Sequence, residues 1–119
     1  MAIEGRLPVE FLDGFTMNAE KAKIFGQTLN NSYVSAAPFP HIVIDNFLPD
    51  EIAEASLADF PASLVKDESS YEIGYYGHHK RQIPPTSCNL YSRNLFAFFN
   101  SAPMLKFLEG LTGINKLLP

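Results

Sequence analysis

Pro38-Phe39-Pro40-His41-Ile42-Val43-Ile44-Asp45-Asn46-Phe47-Leu48-Pro49-Asp50-Glu51 is the most strongly punctuated run in the chain. Proline has no backbone N–H to give a ladder, so Pro38 and Pro40 mark the way into a strand rather than its interior. His41 to Asp45 then reads as a short β-branched strand, ended by Asn46. Pro49 fits the first turn of a following helix, where its missing N–H costs nothing. Asp50, Glu51 and Glu54 place negative charge beside that helix's N-terminus, where the dipole favours it. Ile52, Ala53, Ser56, Leu57 and Phe60 fall on the opposite arc as a docking face, and Pro61 stops the helix.

Upstream, residues 1–17 read as an irregular lead-in, and a helical pattern begins after Asn18, which can cap it. Ala22, Phe25 and Leu29 share one face of a helix running to about Asn30, and Gly26 weakens that pattern slightly. Downstream, residues 66–90 are polar, Tyr-rich and Gly-interrupted, which suggests one or two irregular strands with long loops. A helix over about 92–100 presents Leu95, Phe98 and Phe99. A last helix, capped by Ser101 with Pro103 in its first turn, presents Met104, Leu108 and Leu111, with Gly110 and Gly113 closing it. The expected class is α+β, with about four helices around a small, incomplete sheet containing 41–45.

Composition narrows the function classes. The chain has 119 residues, 46% hydrophobic and 18% charged, which is the size of one domain and too lightly charged for intrinsic disorder. The net charge of −4 is uneven: residues 1–60 carry three basic and nine acidic side chains, residues 61–119 six and four. Neither half holds a dense Lys/Arg stripe, so nucleic acid is not an expected partner. No apolar run reaches membrane-span length and no basic leader precedes an apolar stretch, so the expectation is a cytoplasmic protein without a membrane partner. Cys88 stands alone, so no internal disulfide is possible, and a buried small hydrophobe is its expected role.

The chemistry-bearing residues are sparse. An H-x-D/E pair needs two ligands on one strand face, yet His41, His78 and His79 are followed two positions on by Val43, Lys80 and Arg81. His41 and Asp45 share a face, but four residues of strand separate them by roughly 13 Å, too far for one ion. His78-His79-Lys80-Arg81, with Tyr75 and Tyr76 close by, is the candidate anion or substrate contact: cations for an anion, phenols for stacking or hydroxyl contacts. A solvated basic loop is the commoner role for such a run. There is no nucleophile elbow, Gly-rich phosphate loop or Cys pair, and no residue is assigned a catalytic, cofactor-binding or metal role.

The 38–51 run, the acidic helix ending at Phe60-Pro61, and the later Phe107-Leu108-Glu109-Gly110-Leu111-Thr112-Gly113-Ile114 with Leu117-Leu118-Pro119 together resemble the 2-oxoglutarate- and Fe(II)-dependent oxygenases of the prolyl-4-hydroxylase-like type. The likeness covers roughly residues 18–119, with 66–90 poorly matched. It implies the helix-rich N-terminal support of a double-stranded β-helix (jelly-roll) oxygenase together with its first strand or strands, the barrel being incomplete here. In that family the barrel follows and supplies the H-x-D…H iron ligands and a basic residue for 2-oxoglutarate. The resemblance thus implies one truncated domain whose partner is its own missing C-terminal barrel, and no cofactor for these residues themselves. Fe(II) and 2-oxoglutarate, with O2 and ascorbate, belong to the full-length parent, which would hydroxylate a peptide or protein side chain or a small molecule. The apolar faces of 95–99 and 104–111 would dock on that barrel. Two other readings stand beside it: a stand-alone, non-catalytic interaction module derived from the family, and an unrelated metal- or anion-binding protein built on His78 and His79.

Overall fold

A computed structural model of the chain describes residues 2–11, 16–58, 88 and 90–119. The described residues form a small α+β unit. In chain order it contains β1 (Ala2–Glu4), β2 (Val9–Glu10), β3 (Thr16–Met17), α1 (Ala19–Val34), β4 (Val43–Asp45), α2 (Asp50–Ala58), α3 (Leu90–Phe99) and α4 (Ala102–Thr112). The strands make two two-stranded sheets: β1 pairs parallel to β4 with Ile3 opposite Ile44, and β2 pairs antiparallel to β3 with Val9 opposite Met17. Among the described residues no barrel closes.

Local chemistry sets the helix ends where capping rules place them. The Asn18 side chain accepts the Lys21 N–H at 3.0 Å and starts α1. Ser101 caps α4, accepting the Met104 N–H while its own hydroxyl donates to the Phe98 carbonyl at 2.6 Å. Gly113, at φ 78°, ends α4 in the left-handed conformation and returns its N–H to the Glu109 carbonyl. The Pro49 carbonyl accepts from Ile52 and Ala53 at the start of α2.

Several expectations are corrected. Helix α1 runs to Val34, past Asn30, and the Asn30 side chain does not turn back on its own backbone. Its Nδ2 donates to the Leu111 carbonyl at 2.8 Å, supplying a partner to the C-terminal end of α4. The lead-in holds three short strands; each is too short for a visible alternation and forms only where a partner strand lies beside it. The central strand spans 43–45, the stretch that β1 pairs with, and the His41 ring bonds to the Phe39 carbonyl ahead of it. On α2 the docking face is narrower than its arc: Ile52 is fully buried, whereas Ala53 is exposed and Leu57 is 77% exposed. Phe60 and Pro61 lie outside the described residues. So does almost all of 66–90, the stretch expected to hold irregular strands, and α3 begins at Leu90, before Ser92.

The core sits between α1 and α4. Leu7, Met17, Ala22, Leu29, Phe98, Met104, Phe107 and Leu111 form one buried cluster, with Phe25, Phe47, Leu95, Phe99 and Leu108 half-buried against it. Phe107 stacks on Phe25 at 5.5 Å and tilts against Phe47 at 5.4 Å. On the faces 95–99 and 104–111, Phe98, Met104, Phe107 and Leu111 are buried in this interior, Leu95, Phe99 and Leu108 are half-buried against it, and Phe96 is 45% exposed. The most exposed large apolar side chains among the described residues are Phe39, Leu57, Leu90 and Leu118.

Gly110 does not close α4. It sits inside the helix, at the point where α4 crosses Gly26 of α1. A Cβ on Gly26 would strike the Phe107 carbonyl oxygen and lie 2.8 Å from the Leu111 nitrogen; one on Gly110 would strike the Lys23 carbonyl oxygen and lie 2.9 Å from the Gln27 nitrogen. Backbone meets backbone here, so the two glycines set the helix separation. Above the crossing, Asn30 ties the pair together. Asn30→Ala leaves the Leu111 carbonyl without that donor and should cost about 1–2 kcal/mol, a fall of roughly 5–10 °C in Tm on thermal melting. A melt matching the parent chain would show that water replaces the amide at no cost.

Candidate functional site

Tyr75, Tyr76, His78, His79 and Arg81, the candidate substrate or anion contacts, lie outside the described residues, as does Lys80. Among the described residues no group of three or more His, Cys, Asp or Glu side chains is placed to hold a metal ion. Cys88 is buried, as a small hydrophobe would be, and its carbonyl accepts from Arg93 Nε at 3.1 Å. No helix among the described residues is long and apolar enough to cross a membrane.

Three local arrangements of polar groups remain. The first is an open cleft of about 290 Å³ between the end of α1 and the β1–β4 pair, lined by Ile3, Ser32, Ala36, His41, Ile42 and Val43. His41 Nδ1 lies 2.8 Å from the Phe39 carbonyl, which can only accept, so Nδ1 is the donor of this contact. The Phe39 ring packs on the imidazole with centroids 5.4 Å apart. Sequence spacing had His41 on the strand face with Asp45; the ring instead belongs to the turn before the strand, apart from any ligand set.

The second ties the lead-in to the central strand. Asn46 takes φ 58°, a left-handed conformation that asparagine tolerates. Its Nδ2 donates to both Glu4 carboxylate oxygens, at 3.0 and 2.8 Å, and its carbonyl accepts from Arg6 Nε at 3.4 Å. Arg6 also reaches Asp50 at 3.7 Å, an exposed pair of little energetic weight. These contacts hold β1 beside β4 and carry no reactive geometry.

The third is Glu109 on α4. Its side chain is buried, with Oε1 accepting from Lys106 Nζ at 3.1 Å and Oε2 from the Leu117 backbone N–H at 3.0 Å. The Lys106 ammonium and the Leu117 N–H both favour the ionised form and hold the carboxyl below the ordinary glutamate range; burial opposes them without winning, and Lys23 on α1 adds a weaker attraction. The sequence carries a weak sign of this contact: Lys106 and Glu109 stand three apart, as helix neighbours do. Nothing in the sequence points to Leu117 as the second partner. No known protein family, curated protein or solved structure matches the chain.

Proposed function

We propose that this chain is the helix-rich N-terminal part of a 2-oxoglutarate- and Fe(II)-dependent oxygenase of the prolyl-4-hydroxylase-like type. The observation that supports this reading is a contact between its two diagnostic blocks. Phe47, in the 38–51 run, packs on Phe107, which opens the 107–118 run, although 60 positions separate them. Two motifs expected to belong to one support unit thus share one core. In the parent, Fe(II) and 2-oxoglutarate supply oxidative decarboxylation coupled to hydroxylation of a peptidyl side chain or small molecule. The described residues offer no fit for the iron, so this reading assigns its ligands to a barrel beyond residue 119. The chain's own part is to pack, align and support.

A second reading, a non-catalytic interaction module, draws on the α1–α4 core, which buries its own apolar faces. One pair of measurements separates the two. Under the oxygenase reading, coding sequence following Pro119 reads into a Gly-rich stretch, an H-x-D and a later His, and the 119-residue chain incubated with Fe(II) and 2-oxoglutarate forms no succinate above background. A stop codon directly after Pro119 would transfer the case to the module reading, and iron-dependent succinate from the chain alone would overturn the assignment of the ligands elsewhere.

A further inference from the structure

Beyond α4 the backbone takes two left-handed steps, at Gly113 (φ 78°) and at Lys116 (φ 61°). Glycine adopts the first freely. A lysine adopts the second only where its surroundings hold it there. What holds it is adjacent: the turn at Lys116 brings the Leu117 N–H back along α4 onto Glu109 Oε2 at 3.0 Å. At the near end, the Ile114 N–H donates to Thr112 Oγ1 at 3.1 Å, and that hydroxyl donates to the Leu108 carbonyl at 2.7 Å. Residues 113–117 are thereby tied back to the helix end at Gly113, Ile114 and Leu117, while the Ile114 and Leu118 side chains stay exposed, Leu118 by 85%.

We propose that Glu109 is a positioning residue, an acid-sensitive clasp that fixes the direction in which the chain leaves the α1–α4 pair. The carboxylate is the only acceptor seen for the Leu117 N–H among the described contacts, and a charged acceptor makes the stronger kind of hydrogen bond. The charged groups facing it are Lys106 from its own helix and Lys23 from α1, both cationic, so both favour the closed clasp. Because the folded carboxyl sits below its ordinary range, the clasp contributes fully above that range and is lost only as pH falls through the lowered value. The clasp serves equally a chain that runs on into a barrel and one that stands alone.

Amide hydrogen exchange on the full 119-residue chain tests it, with the α4 interior amides as internal reference. Leu117 should be protected at neutral pH, and Glu109→Ala should cut that protection about tenfold or more while the α4 amides change less. Glu109→Gln, which keeps an acceptor but no charge, should retain part of the protection and lose its pH dependence. Should Glu109→Ala fail to fold, the parent chain decides alone: the Leu117 amide proton shift should titrate together with the Glu109 carboxyl carbon, below the usual glutamate range. An unprotected Leu117 at neutral pH, equal protection in the folded alanine variant, or a Leu117 shift that ignores the Glu109 titration would each overturn the proposal.

Discussion

Phe107→Ala should be the most damaging single truncation in this protein, lowering Tm by roughly 15–30 °C. The ring is 2% exposed and lies between Phe25 of α1 and Phe47, so it joins the helical pair to the segment that follows β4. Removing a buried phenyl costs about 3–5 kcal/mol, from lost transfer energy and from the cavity that remains. A small domain has only about 5–15 kcal/mol in all, so this is a large share of its stability. The backbone of α4 cannot move in to fill the space, because Gly26 and Gly110 already hold the helices at contact. Thermal and urea melts would check it, and a drop of less than about 5 °C would mean that the core is centred elsewhere.

Gly26→Ala should destabilise as well, although helix propensity argues the other way. Alanine in a helix interior gains about 1 kcal/mol over glycine. The new methyl, however, would run into the Phe107 carbonyl and the Leu111 nitrogen, and a helix backbone cannot swing aside as a side-chain tip can. Overpacking of this kind costs about 1–3 kcal/mol or more, and with backbone as the obstacle the upper end applies. The net is a loss of about 2 kcal/mol, or roughly 10 °C in Tm, with the helical circular dichroism signal retained. Gly110→Ala should behave alike. A Tm that rises in either variant would mean the helices separate at little cost and that the close crossing does not govern the fold.

Both predictions rest on features that local sequence rules do not reach. Gly26 reads as a blemish in a helical pattern and Gly110 as a helix end, because a propensity argument weighs a glycine only by its own backbone. The crossing gives both the same role, and that role exists only once α1 and α4 are side by side. Asn30 misleads similarly: the helical pattern stops near it when no partner is in view, whereas the Leu111 carbonyl turns the amide into an inter-helix tie. On α2, the apolar arc counts Leu57 among the buried residues, but neighbours cover only part of that arc. The candidate contacts at Tyr75, Tyr76, His78, His79 and Arg81 are a reading of residue type and clustering alone.

The sequence by itself determined the punctuation: caps at Asn18, Ser101 and Gly113, the strand behind Pro40, the acidic start of α2, and the α+β class. The caps and the start of α2 depend on a hydrogen bond, a steric limit or a helix-end charge effect spanning at most about four residues, so the neighbours in the chain suffice to set them. Tertiary structure alone decided the parallel pairing of β1 with β4, the glycine crossing, the Asn30 tie and the Glu109 clasp. The clasp spans eight positions and follows a path set by two left-handed residues; the other three join positions 41 or more apart. A contact of either kind acquires its energy only after the intervening chain has been brought to the right place, which no short window of sequence encodes.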